Sequence, residues 1–484
     1  MGIHDALARS GSSTTLRMAL LACLLWVLPA VLGNSGLSTA EADTKRDEPI
    51  ALRKGMPKAR GLGTLVIATN FETRDGRYKV IKAYAKSRGA KVQRFKGSKL
   101  ESLVKPLRKV GPEFVAFAMT PESIDTNVHY GILEMCRDLD DDPMPDFHFG
   151  YLTAANAEEL EAFLAGIVRR EEAASAGTQA KPSSSVTALT SGNPKLATLD
   201  YLMHFGHGQA WCVQGGLSGK ELGALRFEQA PVVWSGACFN GVFSRSFHKC
   251  AYQMVFLNPT TIDPDTLMTL AWVRAGVSAY FAAMEGDRGE MAMAEWEYFR
   301  QTACSVGETM GFQYRLAFTS LPASFERFPR QRHMVKKRMG FYDVMLRGMV
   351  SRMVLSDPSY RPASAPLEEP AQEDTVTRDE STGAVEVTTR AVRWSQGLQL
   401  NYLPKSGKGI FDRRLFTRVA LPEGSEGEFA SVKVKLTNGP ELVEPTRFHV
   451  RHEVWGGARY VVLQVEAPAG AIKAGTKAVW TLTP

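Results

Sequence analysis

The chain has 484 residues, of which 44% are apolar and 23% charged, and it carries a formal net charge of +7. That length exceeds one ordinary core and calls for about two or three domains, and the composition is that of a globular protein, which excludes a disordered or fibrous chain. The basic residues are scattered apart from one cluster, Arg330 to Arg338, and no motif that reads RNA or DNA accompanies them, so a nucleic-acid partner is not indicated.

At the start, Arg9 and Arg17 precede an apolar run, Met18 to Leu32, and Ala40-Glu41-Ala42 follows as an A-x-A cleavage site. Residues 1–42 therefore read as a signal peptide, which makes the mature chain an exported one, secreted or periplasmic. The run is short for a membrane span. An uncleaved anchor is the rival, and a lipoprotein signal at Cys23 is disfavoured because the apolar run continues past it. No other stretch is long and apolar enough to span a bilayer. Residues 43–60 are charged and aperiodic and read as a lead-in or short pro-segment. Of six cysteines, Cys23 leaves with the signal, and Cys136, Cys212, Cys238, Cys250 and Cys304 remain. An odd number keeps at least one thiol. Cys238 is the natural candidate, and the other four can form two disulfides of undetermined connectivity.

Residues 61–354 read as an α/β domain. Leu62 to Asn70 predicts a strand, and Asp75 caps the helix after it, with Tyr78, Ile81 and Tyr84 on one face and Gly89 as its stop. Ala90 to Phe95 is a second strand. Ser98-Lys99-Leu100-Glu101 has the form of a capping box opening another helix, which Pro106 is expected to kink or shorten. Phe114 to Met119 is a third strand, and a β-α-β-α-β run argues for a parallel sheet. Asp138 to Asp142 lacks the spacing of a calcium loop and reads as a solvated acidic turn. Phe147 to Thr153 is another strand. Asn156 with Glu159 opens an amphipathic helix carrying Leu160, Phe163, Leu164 and Ile167. Residues 172–194, rich in Ala, Ser, Gly and Thr, read as a mobile surface loop.

The most informative stretch is Tyr201 to Phe243. Leu202, Met203 and Phe205 run into Gly206-His207-Gly208, and Val232, Val233 and Trp234 run into Ser235-Gly236-Ala237-Cys238. Short apolar runs that stop at small residues read as buried strands of a parallel sheet. Open α/β sheets place their chemistry at strand ends, so a His and a Cys are offered at the ends of two successive strands. The residues between them leave room for the crossover that parallel neighbours require. Imidazole and thiol together make a nucleophile and proton-transfer pair for acyl transfer. His204 is a second candidate histidine.

Beyond Cys238, Leu267 to Val273 reads as a helix and Gly276 to Met284 as a strand lying beside the Cys strand. Glu290 to Arg300 reads as helical, with Met291, Trp296 and Phe299 toward the core, and residues 334–354 as a helix with a basic face, packed on the domain rather than on a membrane. Residues 355–384, rich in Pro, Ser, Thr and acids, read as a linker. In residues 385–484 alternating runs such as Val432 to Leu436 and Tyr460 to Val465 are separated by turn residues, which predicts a β-sandwich.

The paired motifs resemble the caspase–legumain–clostripain clan of cysteine peptidases. The likeness is to the gingipain type, whose "GHG" and "ACxNGxF" stand here as Gly206-His207-Gly208 and Ala237-Cys238-Phe239-Asn240-Gly241-Val242-Phe243. The segment "PDFHFGYLTAANAEELEAFLAGIV" also looks like that family, with Tyr151 where an Arg commonly follows the Gly. The stretch before His207 is shorter than in relatives, and no acidic partner for the His is carried over. The resemblance implies a caspase-like, mostly parallel sheet flanked by helices and an immunoglobulin-like C-terminal domain. It implies Cys238 as nucleophile, His207 as general acid/base, and the N–H groups of Gly208 and Cys238 as the oxyanion hole. It also implies that the segment after the strand at 276–284 lines the specificity pocket. That segment is "EGDRGE", and Asp287 with Glu285 at a pocket floor would favour a basic residue before the cut bond; a solvated turn paired with Arg288 is the alternative.

The reading is thus an exported cysteine endopeptidase acting on protein or peptide substrates, with no cofactor or metal called for and the oligomeric state unread. Two alternatives stay open. One is a caspase-like binding protein without catalysis, which the shortened stretch before His207 favours. The other is a zinc protein using His204, His207, Cys212, Cys238, His248 and Cys250, which lacks any paired Cys-x-x-Cys. A serine hydrolase is disfavoured, since no G-x-S-x-G elbow is present.

Overall fold

A computed structural model describes residues 64–137, 139, 146–178, 180, 184–186, 200–213, 216–243, 263–286, 296, 309–311, 351–364, 372–392, 413–423, 425, 429–445, 447–455, 458–467 and 471–484. The expected signal peptide and lead-in, most of the acidic turn at 138–142, and the helices read at 290–300 and 334–350 lie outside these residues, apart from the buried Trp296.

The chain begins with β1 (Leu65–Thr69), α1 (Gly76–Ser87), β2 (Lys91–Arg94), α2 (Glu101–Val110), β3 (Phe114–Ala118), α3 (Thr126–Arg137), β4 (His148–Leu152) and α4 (Ala157–Ser175). It continues with β5 (Ser184–Val186), β6 (Tyr201–Phe205), the hairpin strands β7 (Gly208–Gln209) and β8 (Cys212–Val213), α5 (Gly219–Gly223), β9 (Val232–Gly236), α6 (Met268–Ala275), β10 (Ala279–Ala283) and β11 (Arg352–Leu355). Nine of these strands form one sheet in the order β2-β1-β3-β4-β11-β10-β9-β6-β5. Strands β1 to β4 pair in parallel, as do β5, β6, β9 and β10. Every residue of β1, β3, β4, β9 and β10 is buried, which is why they read as continuous apolar runs: a parallel sheet is covered on both faces. The edge strand β2 is only partly covered.

β11 joins the two parallel sets. It pairs antiparallel with β10 from Tyr280 opposite Leu355 to Ala283 opposite Arg352. It meets β4 through a single bridge of parallel type, Leu355 opposite Tyr151. The neighbouring contacts set its direction: Gly150 packs on the Ser356 carbonyl, and Gly311 lies against both His148 and Pro358. The C-terminal end of β11 therefore lies at the N-terminal end of β4, and all the parallel strands point the same way. In agreement, Ala155 after β4 packs into one apolar cluster with Ala210 and Phe239, which follow β6 and β9.

Local capping matches the sequence at two helices. The Asp75 carboxylate accepts the Arg77 N–H at 2.9 Å, and the Asn156 side chain accepts the Glu159 N–H at 2.9 Å, each satisfying an orphan donor of the first turn. The expected capping box at Ser98 is not made. Helix α2 starts at Glu101 from Leu100 without a side-chain cap, and it runs past Pro106 to Val110, where Gly111 ends it in the left-handed region. Burial of Leu103 and Leu107 outweighs the one backbone bond a proline removes. Helix α3 has no strong propensity signal; Ile132, Leu133, Met135 and Cys136 are buried along it, so packing rather than propensity makes it.

Three compositional expectations are corrected. The loop expected over 172–194 holds the last turn of α4, as far as Ser175, and β5, which pairs with β6. The helix expected to reach residue 354 gives way to strand β11. The expected linker is ordered at both ends: Ser356, Asp357, Tyr360 and Arg361 are buried, and β12 (Gln372–Arg378) is a strand. Its polar residues have internal partners. Tyr84 donates to Asp357 at 2.5 Å, Arg88 pairs with Asp357 and Glu171, and Tyr201 donates to the Ala363 carbonyl at 2.6 Å. Composition resembled a linker because it does not register such pairing.

The C-terminal part adds β13 (Val385–Ala391), β14 (Arg413–Ala420), β15 (Ser431–Asn438), β16 (Glu441–Val443), β17 (Arg447–Trp455), β18 (Ala458–Ala467) and β19 (Thr476–Thr483). They form two antiparallel sheets, β12-β13-β19-β15-β16 and β14-β18-β17. The alternation in β13 and β19 sends Val387 and Trp480 inward to a core shared with Leu415 and Leu463 of the other sheet. No helix among the described residues is long and apolar enough to cross a membrane.

His204 lies in the core rather than at a strand end. It is fully buried, stacked on Trp272 at 5.7 Å and Tyr280 at 6.4 Å between centroids, with neither ring nitrogen hydrogen-bonded. Burial pushes its pKa down from 6.5 to about 3, so the folded state holds it neutral. As pH falls below the unfolded value, the unfolded chain takes up a proton that the folded chain refuses, and stability falls by up to about 1.4 kcal/mol per pH unit. Denaturant unfolding from pH 7 to 4 is expected to show this acid slope in the wild type and a shallower one in His204→Leu. Identical slopes would remove His204 as its source.

Candidate active site

β6 and β9 lie side by side in parallel register, Tyr201 opposite Val232 through Phe205 opposite Gly236. Their C-terminal ends are therefore adjacent. His207 follows the first and Cys238 the second. A Cβ placed on Gly208 would lie 2.5 Å from the Cys238 carbonyl oxygen and 2.9 Å from its nitrogen. Only glycine lets two backbones approach so closely, so the residue after His207 rests directly on the Cys238 peptide. His207 is exposed and Cys238 half-buried, which leaves the imidazole, and part of the cysteine, open to solvent.

The turn after Cys238 is held from several sides. Phe239 sits at φ 60°, a left-handed conformation that costs a residue with a Cβ about 1–2 kcal/mol. Its N–H donates to the Glu285 carbonyl at 3.0 Å, and the Gly241 N–H donates to the Ala283 carbonyl at 2.8 Å. The buried Asn240 side chain ties the two arms of the site together. Its Nδ2 donates to the Gln209 carbonyl at 2.6 Å and its Oδ1 accepts from the Ser235 hydroxyl at 3.1 Å. Arg352 of β11 donates from Nη1 to the Ser235 carbonyl at 2.8 Å and stacks over Trp234 at 4.8 Å. Trp211, Ala155 and Cys238 flank an apolar cluster of Ala210, Phe239, Val242, Leu267 and Leu270, so one side of the thiol is an apolar wall.

His207, Gly208 and Cys238 thus stand at neighbouring strand ends, and Glu285 is joined to the turn through its backbone. Glu285 is buried; Asp287 lies outside the described residues. Cys136, Cys212 and Cys238 are all thiols, so the disulfides open to Cys136 and Cys212 are not formed. The Cys136 thiol instead donates to the Phe147 carbonyl at 2.9 Å. Burial pushes the Cys212 thiol pKa up, which disfavours the thiolate a metal needs. With His204 in the core as well, two of the six residues considered for zinc are poorly suited to it. His248 and Cys250 lie outside the described residues, and among those described no three His, Cys, Asp or Glu gather as metal ligands.

The residues that hold the site carry little local signal in the sequence. Asn240 is visible only as part of the motif after Cys238. Ser235 and Arg352 carry no local signal, because their partners are distant in sequence. Gly208→Ala is expected to force the two arms apart and to lower stability by about 1–3 kcal/mol, the usual cost of overpacking, as measured by urea denaturation. An unchanged midpoint would show that the arms do not meet as closely as described.

No protein-family model matches the chain, and no curated protein matches it. One solved structure, described as "Structure of Protease", aligns with 88% of this chain and 96% of its own length at 11% identity, with a TM-score of 0.39. That score is too low to establish a shared fold.

Proposed function

We propose that the chain is an exported cysteine peptidase of the gingipain type, with a caspase-like domain at 61–354 followed by an immunoglobulin-like domain at 385–484. The observation that carries this reading is the seating of Gly208 on the Ala237–Cys238 peptide at the ends of two adjacent parallel strands. It brings the ends of the His and Cys arms together, as acyl transfer requires.

In this reading the Cys238 thiolate attacks the substrate carbonyl carbon, and the oxyanion that forms accepts hydrogen bonds from the N–H groups of Gly208 and Cys238. Donors of this kind are worth about 3–4 kcal/mol each elsewhere. His207 protonates the departing amine, leaving a thioester. Water, giving a proton back to His207, then hydrolyses the thioester and frees the thiolate. The exposure of His207 suits a group that must exchange protons with solvent. Asp287 and Glu285 at the pocket floor would select a basic side chain before the cut bond.

A thiol-reactive peptidyl inhibitor is expected to label Cys238, with labelling abolished in Cys238→Ala. Equal labelling of that variant would end the peptidase reading and leave the scaffold as a binding protein. For specificity, Asp287→Asn should lower kcat/KM for an Arg substrate by at least tenfold, about 1.4 kcal/mol. A peptide library that prefers Asp or an apolar residue at that position would overturn the basic preference while sparing the catalytic pair.

A further inference from the structure

The same sheet edge carries a cleft, about 1120 Å³ in volume, at the C-terminal ends of β1, β2 and β3. From β1 to β9 is five strand spacings, about 24 Å at roughly 4.8 Å each, so the cleft is well removed from Cys238. Its position follows from topology. β2 lies on one side of β1 and β3 on the other, so the connections leave in opposite directions and their loops part. In open α/β sheets the crevice at such a reversal is where ligands bind.

The cleft is braced rather than loose. Asn70, just past β1, donates from Nδ2 to the Gly97 carbonyl at 3.0 Å and accepts the Thr120 N–H on Oδ1 at 3.0 Å. One side chain thereby fixes the loops after all three strands. Its lining includes Ser102 and the hydroxyl pair Thr120 and Ser123, 2.8 Å apart.

Its charge balance gives the ligand class. Both acids of the lining already have arginine partners: Glu72 pairs with Arg74 at 2.8 Å and Asp75 with Arg77 at 2.8 Å. Arg94 and Lys96 also line the cleft. Arg94 stacks on Tyr78, and among the described residues neither forms an ion pair. Ser102 spends its hydroxyl proton on the Lys99 carbonyl, so Arg94 and Lys96 are the donors that suit an oxyanion, which accepts charge-assisted hydrogen bonds from both.

We propose that this cleft binds a small ligand bearing phosphate or carboxylate groups, with Arg94 and Lys96 as the charged contacts. The binding does not depend on Cys238 or His207. It is tested by isothermal titration of the Cys238→Ala chain with pyrophosphate and, separately, with citrate, beside the same chain carrying Arg94→Gln and Lys96→Gln. Both substituted positions are exposed, so an unchanged melting temperature is the control for folding. Saturable binding at one site, weakened at least tenfold by the double substitution, is the result expected. Preference for pyrophosphate identifies a phosphate ligand and preference for citrate a carboxylate one. No saturable binding of either probe, or binding that the double substitution leaves unchanged, would overturn the proposal. So would binding confined to an acidic peptide, which would give the cleft to a polypeptide.

Discussion

The architecture depends on the insertion of β11 between β4 and β10. Among the described residues, two sets of parallel strands, one built before residue 153 and one after residue 183, pair with each other only through this short strand. Its own residues are all buried, and one of them is an arginine. Burying a guanidinium is costly unless its donors are satisfied; Arg352 spends one on the Ser235 carbonyl and sits over the Trp234 ring. The strand that closes the sheet therefore also braces the strand that carries Cys238. The segment after it extends the closure, since Asp357 ties to Tyr84 and Arg88 beneath the first set of strands.

With every parallel strand pointing the same way, one edge of the sheet collects all the C-terminal loops. The candidate active site and the charged cleft both lie there, on different strands. Precision at the first comes from small contacts: a glycine with no room for a methyl group, an asparagine joining the Gln209 carbonyl to the Ser235 hydroxyl, and a buried phenylalanine at positive φ whose N–H is held by the Glu285 carbonyl. Each restrains the turn that carries Cys238.

Local pattern was enough to read several elements from the chain. Fully apolar runs announced the buried strands, Asp75 and Asn156 announced helix starts, and alternation announced the C-terminal sheets. The His and Cys at strand ends were legible for the same reason, because small residues stop an apolar run where a strand stops. The neighbourhood of β6, β9 and β10 followed from their order in the chain, since consecutive parallel strands joined by crossovers usually pair as neighbours.

Whatever depends on distant partners came from the fold. It put His204 in an aromatic stack and left His207 exposed, although the two histidines sit three positions apart and look alike in a string. It turned Ser356 to Ala363 from an apparent linker into a buried segment, because the groups that satisfy its polar atoms come from α1, α4 and β6. It placed Arg352 against Ser235, 117 positions away. Local composition records what a residue is, whereas burial cost and hydrogen-bond satisfaction depend on what the fold brings beside it.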